Sequence, residues 1–476
     1  MEKQTFPFLS LEVGNNLRLC ELTKYKTMIP ALPTFPEVNA EKSAIEGVGI
    51  KHLAEEFGSP LFIFSERIIK QKIFELQNAL EKYYPNSQIA YSINANRVPA
   101  IIKIFKEKKI WAEVGSGFEY WLAKKLYFPD TEIIFNGTDK GGSALFAALE
   151  NGASIHADNL QELESIGKFT IQTRRRVSVG LRINVHVGLH YGGKLGFELS
   201  AGEAYNTVKL LNKKFPLVKV CGLHVHLGPF VKDTKFYALA AEQLSDFALE
   251  LKKDFGLNIT YLDLGGGMSA PGARPFDQEI WVVPEISEYM KEIADVLNKK
   301  FPDKKPKLYI EPGKYLVDES GVLLTTVTDV KMTTLRPERT KRGVFLKLRN
   351  DAKDDKAGFQ LANVNASAIS MLPTAQLRHH RVDVISNHHS ADNKRIKTIV
   401  GGNSCMPNDF LCWDVAMPKL FSGDHLLFYN AGAYELSRSE QFIHPRPAVV
   451  MLYANGSVKC VRRRETFEYI VALDEF

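Results

Sequence analysis

Cysteine is scarce in this chain, with five in 476 residues (Cys20, Cys221, Cys405, Cys412 and Cys460), scattered and odd in number. That pattern argues against a disulfide framework or a zinc-ligand array and predicts reduced thiols in a cytoplasmic protein. No uninterrupted apolar run reaches membrane-spanning length, so no membrane association is expected. The opening residues Met1-Glu2-Lys3-Gln4-Thr5 lack the basic-then-apolar layout of a secretory signal. Long blocks of one charge sign are missing too. Lys and Arg alternate with Asp and Glu, and the net charge of +6 is mild, so a nucleic-acid partner has no support. What is present is an ordinary globular composition, 45% hydrophobic and 24% charged, on a chain long enough for two domains with their own cores.

After a poorly patterned opening the chain alternates strand-like and helix-like segments. Apolar, β-branched runs occur at 88–93, 110–114, 132–135, 154–157, 177–185, 218–227, 259–264 and 307–310. Between them lie amphipathic stretches such as Ala201 to Phe215, Phe236 to Phe255 and Ile286 to Phe301. About eight such units over roughly 250 residues match the period of a (β/α)8 barrel. An open doubly wound sheet would alternate similarly, so pattern alone favours the barrel without requiring it. Beyond Gly313, strand-like pieces such as Val322 to Val327 and Ala448 to Tyr453 replace the helices. The predicted architecture is α/β, a (β/α)8 barrel followed by a mostly β C-terminal domain. The expected division is an extension over 1–57 partly packed on the β domain, a barrel over 58–315 and the β-rich domain over 316–476.

Arg336 to Lys356 and Arg378 to Lys397 read as charged surface loops of the β domain. The pairs His379-His380 and His388-His389 carry metal-ligating atoms, but adjacent side chains on a strand or loop point apart. Carboxylates at ligand spacing are lacking, so no metal site is expected.

Several segments carry potential chemistry. They are Gly58 to Phe64, Tyr91-Ser92-Ile93-Asn94-Ala95-Asn96, Glu113-Val114-Gly115-Ser116-Gly117-Phe118-Glu119, and Gly193-Lys194-Leu195-Gly196. Then follow Gly222 to Pro229 with His224 and His226, Leu262-Asp263-Leu264-Gly265-Gly266-Gly267, and Glu311-Pro312-Gly313-Lys314. The β domain adds Cys405-Met406-Pro407-Asn408-Asp409, Gly423-Asp424 and Gly432-Ala433-Tyr434. Three successive glycines at a strand end let backbone N–H groups approach an anion without side-chain interference. Each piece alone has a plainer reading: a tight turn at the glycines, a core histidine at His226, a small buried thiol at Cys405. Together, in this order at successive strand ends, they resemble the alanine-racemase-like (fold type III) decarboxylases, the group acting on diaminopimelate, ornithine and arginine.

That resemblance implies pyridoxal 5'-phosphate as cofactor and assigns roles. Glu311 would face the pyridine nitrogen and keep it protonated, making the ring an electron sink. His226 would stack on the ring, Arg182 would lie near its hydroxyl, and Glu113 would stand where the second strand usually carries aspartate. Gly265, Gly266, Gly267, Gly313, Lys314 and Tyr434 would surround the phosphate. Cys405 would act as general acid from the partner subunit, and Asp409 would lie near the distal amine of an amino-acid or amine ligand.

The departures cluster on the cofactor. Asn94 stands where the resemblance places the lysine that holds pyridoxal phosphate as a Schiff base, and an amide cannot form that bond. Pro229 replaces a serine, and proline brings neither hydroxyl nor backbone N–H. Lys314 replaces an arginine, keeping charge but losing the planar fork. Met406 and Pro407 replace polar residues of the cysteine motif. Three classes stay open: a divergent decarboxylase holding its cofactor non-covalently, a non-catalytic homologue binding a ligand or partner, and an interaction protein that keeps only the fold. Family dimers build each site from both subunits, and this chain changes one half while keeping Cys405 and Asp409 of the other. A homodimer, or a heterodimer with an active paralogue, follows as the expected assembly.

Overall fold

Each strand–helix pair in the sequence becomes one turn of a closed barrel, preceded by a strand that belongs elsewhere. That first strand, β1 (Leu61–Ser65), runs into α1 (Glu66–Tyr83). The barrel proper starts with β2 (Ser87–Ser92), α2 (Pro99–Glu107), β3 (Trp111–Val114) and α3 (Gly117–Lys125). It continues with β4 (Ile133–Phe135), α4 (Gly142–Glu150), β5 (Ser154–Ala157) and α5 (Leu160–Thr173). Then come β6 (Val177–Asn184), α6 (Glu203–Lys214), β7 (Val218–His224), α7 (Lys235–Phe255), β8 (Tyr261–Asp263), α8 (Ile286–Lys300) and β9 (Lys307–Ile310). The structure, a computed structural model, describes residues 33–39, 43–189, 193–272, 274–275, 282–340, 343–347, 358–386 and 394–476. The His388-His389 pair and Cys20 lie outside the described residues.

β2 to β9 pair in parallel in chain order, and β9 closes on β2 with Leu308 opposite Ser87 and Ile310 opposite Ile89. Helices are started by local polar caps. Ser65 accepts from the Ile68 N–H at α1, Ser116 from Glu119 at α3, and Asn159 from Glu162 at α5. Closure removes the open-sheet alternative and puts all eight C-terminal strand ends on one face, where barrels of this kind carry their chemistry.

The second sheet is built from β10 (Gly321–Thr333), β11 (Phe359–Val364), β12 (Val382–Ile385), β13 (Ile396–Gly401), β14 (Phe410–Met417), β15 (His425–Phe428), β16 (Ala448–Leu452) and β17 (Val458–Arg462). Its order is β14-β13-β11-β10-β1-β16-β17, with β15 joining β10 to β12. Thus β1 lies inside this sheet, antiparallel to β10 and parallel to β16, and not on the barrel side of a boundary at residue 58. The reason is its side chains. All five residues of β1 are buried; Phe62 and Phe64 join the large core shared with the barrel, while Leu61 and Ile63 face the opposite way. That opposite face is covered by Ile45, Ile50 and Leu53 of the segment before β1. A strand apolar on both faces needs cover on both, and only the interior of the second sheet offers it.

Two segments that read as surface loops are structured. Arg336–Thr340 and Gly343–Lys347 pair as a hairpin, and β12 lies within the stretch 378–397. Arg378 is 1% exposed. Its guanidinium donates to both Asp318 oxygens at 2.7 and 2.9 Å and to Glu435 at 3.3 Å. Lys314 Nζ meets the same Asp318 carboxylate at 2.7 Å, and Asn430 Nδ2 donates to it at 3.1 Å. His380, beside Arg378, is also buried, with Nδ1 donating to the Tyr429 carbonyl at 2.8 Å. The charged sequence implies solvation, but the acids that pair with Arg378 come from remote segments.

Burial would raise the Asp318 carboxyl, but Arg378 and Lys314 outweigh it and hold Asp318 well below the usual carboxylate range. Removing one partner of such a buried pair costs about 3–5 kcal/mol, because the charge left behind is uncompensated. Arg378→Met is therefore expected to lower unfolding free energy by about that amount, measured by urea denaturation. Arg378→Lys should recover only part of it, lacking the bidentate fork.

Candidate functional site

Neighbouring barrel strands end in polar residues that face one another across the mouth. Register puts Ser92 beside Glu113, Arg182 beside His224, and His224 beside Asp263. Asn94, in a single helical turn just past β2, is exposed at this mouth. Its amide nitrogen donates to Ser92 Oγ at 2.9 Å, and Ser92 Oγ donates to Glu113. Asn136, just past β4, donates through Nδ2 to Glu113 at 3.2 Å and to Glu311 at 2.8 Å. A continuous polar chain thus runs from Asn94 to Glu311.

Around Glu311 the chain thickens. His224 Nε2 is 3.3 Å from Glu311 Oε2. His156 Nδ1 is 2.7 Å from Asn136 Oδ1, and its Nε2 is 3.0 Å from the Tyr261 hydroxyl. Burial would raise Glu311, but contact with His224, His156 and the Asp263 carboxyl holds it well below the usual range, so it is ionised. Asp263 and Glu113 are pushed up, first by burial and then by the charge of Glu311. One negative charge therefore sits at Glu311 among neighbours that resist sharing it.

His156, His224 and Glu311 bring nitrogen and oxygen atoms within 4.8 Å of one another. The two imidazoles are stacked, with centroids 4.8 Å apart and planes inclined by 15°. Lone pairs of an imidazole lie in its plane, so nearly parallel stacked rings do not aim at a common ion. Both His156 nitrogens also have partners already. This geometry suits a hydrogen-bonded floor better than a metal centre.

The glycine turn follows β8. A Cβ on Gly266 would lie 2.3 Å from the Glu311 carbonyl oxygen, so only glycine allows this approach of the two loops. Gly265 N–H donates to Asp263 Oδ1 at 2.8 Å, and Gly266 N–H donates to His226 Nδ1 at 3.3 Å. Accepting that bond fixes His226 in its neutral form. Burial first, then the positive Arg182, push it down to about 4.

The other expected residues divide into two groups. Gly313 abuts the Asn94 turn, since a Cβ there would lie 2.7 Å from Ala95 Cβ. Tyr434, at φ 68°, donates its backbone N–H to the Ala95 carbonyl at 2.8 Å, bringing the β domain onto the same turn. Arg182 has its Nε 3.8 Å from Asp158 and lines a small cleft with Asn184, Leu195 and His226. Lys314, expected at a phosphate, has its ammonium on Asp318 and 4.9 Å from the Phe230 ring centroid. Burial and then Arg378 lower it to about 8. Cys405 is exposed on a turn held within the β domain. Asp409 is buried beneath that turn, accepting from the Ala368 N–H at 2.7 Å and the Ser404 N–H at 3.0 Å. Its contacts are those of a loop brace, not of a group open to a ligand amine.

Ser92, Asn136, His156, His224 and Asp263 received no role from the sequence. Each lies at, or one or two positions from, the C-terminal end of a barrel strand, and that position was the signal available.

A parallel barrel whose strand ends gather a buried carboxylate, an imidazole and a triple-glycine turn has the layout of a barrel that carries its ligand site at that face. Residues 70–318 match the family model described as pyridoxal-dependent decarboxylase, pyridoxal binding domain. The chain belongs to that family of pyridoxal-phosphate-dependent decarboxylases. It is similar to the diaminopimelate decarboxylase of Aquifex aeolicus, 28% identical over 437 residues that cover 90% of this chain and 94% of that one. The Bacillus methanolicus enzyme of the same name is 29% identical over 442 residues, covering 89% and 95%. Among solved structures, diaminopimelate decarboxylase from M. jannaschii in co-complex with L-lysine superposes with a TM-score of 0.76 at 25% identity, covering 93% of this chain and 98% of that chain.

The residues present fit the ring of pyridoxal phosphate. Glu311 offers a charged acceptor, His226 a flat face, and the crowded Gly266 position a cradle. At position 94, where the resemblance places the anchoring lysine, the chain has an amide and not an amine.

His226 is neutral in the folded chain with its titration displaced from 6.5 to about 4. A lowered histidine contributes stability that is complete above its unfolded value and lost as pH falls through that interval. The unfolding midpoint should drop between pH 6.5 and about 4. His226→Gln, whose amide oxygen can still accept from Gly266, should show a smaller drop in urea titrations at the two ends of the interval.

Proposed function

We propose that this chain is a diaminopimelate-decarboxylase-like subunit that recognises pyridoxal phosphate through the ring-binding floor but does not sustain decarboxylation alone. The observation that carries this reading is Asn94, whose amide nitrogen is tied to Ser92 at the strand end where the resemblance places a lysine. Pyridoxal phosphate, when bound, supplies an electron-accepting ring. Glu311, kept charged by His224 and Asn136, would hold a proton on the ring nitrogen. His226 would cover one face and limit water there. Ser92 and Asn136 hold Glu113 in place, where the resemblance would put it near the cofactor. None of these groups provides an amine that could hold the cofactor between turnovers or displace the product amine from it.

The phosphate end is weakened in the same direction. Lys314 directs its charge to Asp318, and the Gly265 and Gly266 N–H groups already have internal acceptors. A neutral hydrogen bond contributes about 1 kcal/mol, so these changes lower affinity without abolishing it. The lost amine changes the chemistry itself.

Cys405 is retained and exposed on the β domain, and in the family this part completes the site of a partner subunit. The proposed role is accordingly a non-catalytic or partner-dependent subunit, in a homodimer or with a lysine-bearing relative. A second reading, a divergent decarboxylase of a basic or diamino acid with a non-covalently held cofactor, draws on the Asn136 hydrogen bond to Glu311 and the nearby His224. The two separate in one assay. Purified chain supplied with pyridoxal phosphate and lysine, ornithine, arginine or diaminopimelate should release no CO2 above background. Asn94→Lys should then bind the cofactor covalently, trapped by borohydride on residue 94, and regain activity on one of these acids. Sustained release by the unaltered chain supports the second reading and rejects the first. Co-expression with a lysine-bearing relative should yield a co-purifying pair if the subunit role is heterodimeric.

A further inference from the structure

The face of the barrel opposite its mouth, where helices end and strands begin, carries a charge that the order of the sequence conceals. Four segments lead into neighbouring strands there: 170–177 into β6, 211–219 into β7, 252–261 into β8 and 297–307 into β9. Backbone bonds hold them edge to edge. The Val177 N–H donates to the Leu217 carbonyl at 3.0 Å, Thr260 to Cys221 at 2.7 Å and Lys307 to Thr260 at 2.8 Å. Together the segments hold 13 Lys and Arg against 2 acids, Asp254 and Asp303, a net of +11 where the whole chain has +6. Lys214 meets Glu164 at 2.8 Å, and Lys300 lies against Asp246 and Glu242. Among the described residues, none of the other eleven cations forms an ion pair within 4.0 Å.

Cations at helix ends have a plainer use, because the last turn of a helix favours them. That covers the pairs Lys213-Lys214, Lys252-Lys253 and Lys299-Lys300. It leaves Arg175, Arg176, Lys219, Lys304, Lys305 and Lys307, which lie beyond the helices on loops and strand starts. All but Lys307 are exposed. Unneutralised like charges gathered on one face repel one another and cost the folded chain stability, so the arc is suited to an anionic partner.

We propose that this face binds a single-stranded nucleic acid through its phosphates. Four helix tips about 10 Å apart spread the charge along roughly 30 Å, the reach of about nine nucleotides. Between Lys252 and Lys304 lies a shallow recess walled by Leu249, Ile259 and Phe301. A splayed base brings a flat apolar surface to such a recess and sets its phosphate beside the lysines. A run of acidic side chains brings the charge alone. A bilayer needs apolar side chains that project into it. Among the described residues of these four segments, Ile171 is the one large hydrophobic that is exposed. Along the chain no basic block is longer than Arg174-Arg175-Arg176; closure of the barrel assembles the rest across strands.

The test is fluorescence anisotropy of a labelled single-stranded RNA of mixed sequence, about 20 nucleotides long, titrated with the full-length chain at two salt concentrations. With about six phosphates neutralised, affinity should fall roughly 300-fold between about 50 and about 200 mM salt. The joint variant Arg175→Gln, Arg176→Gln, Lys304→Gln, Lys305→Gln should bind at least about tenfold more weakly at the lower salt, with a shallower salt dependence. A control of Lys419→Gln with Lys459→Gln, both exposed on the β domain, should bind like the parent. Circular dichroism and thermal melting of each variant establish that the fold is kept. No binding at the lower salt, or equal binding by the fourfold variant and the parent, would overturn the proposal. Phosphatidylserine vesicles and polyglutamate are titrated in parallel. Tighter binding to either than to the RNA, lost in the fourfold variant, would reassign the face to a membrane or an acidic protein and reject the nucleic acid.

Discussion

The polar interior of the barrel is organised around one buried charge, the carboxylate of Glu311. An isolated carboxylate taken out of water at this depth would be neutralised by protonation. Here His224, Asn136 and Asp263 surround it and keep it ionised, while the same charge discourages ionisation of Asp263 and Glu113. From this arrangement comes the directional chain that passes through Asn136, Glu113 and Ser92 and orients the side chain at position 94. The mouth of the barrel is thus set from its floor, through bonds that each depend on the one beneath.

A second buried charge system, on Asp318, governs how the β domain meets the barrel. Arg378 and Lys314 both converge on it from different segments, and Asn430 adds a further donor. The consequence for the ligand site is direct. A lysine at the Glu-Pro-Gly segment is committed to the Asp318 carboxylate four residues on, so its charge is drawn away from an incoming anion. Structure and recognition compete here for one ammonium group, and structure has it. Tyr434 and Gly432 complete the same joint from the other side, through the Ala95 carbonyl and the Asn96 side chain.

The barrel was legible because its period is local. Each strand–helix unit carries its own apolar pattern, and the helices over Glu203–Lys214, Lys235–Phe255 and Ile286–Lys300 fall where amphipathic spacing put them. The ordered motifs at strand ends likewise pointed to a pyridoxal-phosphate decarboxylase family. What escaped were features set by partners far away in sequence. β1 reads as an entry to the barrel because Glu66 starts a barrel helix, yet its two apolar faces are satisfied by β10, β16 and the segment before it. Arg378 reads as solvated because its acids, Asp318 and Glu435, lie about sixty residues away on either side. Asn136 and His156 carried no motif, and only closure of the barrel brings them to Glu311.

The placement of β1 has a bearing on how the chain is made. The second domain begins before the barrel and is finished after it, with β16 seated directly against β1. As the polypeptide emerges from its N-terminus, β1 waits with both lateral edges open while the whole barrel is synthesised and closes. Its apolar faces and unpaired backbone are the type of surface that attracts wrong partners during that interval. The segment carrying Ile45, Ile50 and Leu53, which covers one face of β1 in the native state, is synthesised first and can shield that face from the outset. A stretch that contributes nothing to the ligand site thereby acquires a purpose in time rather than in space.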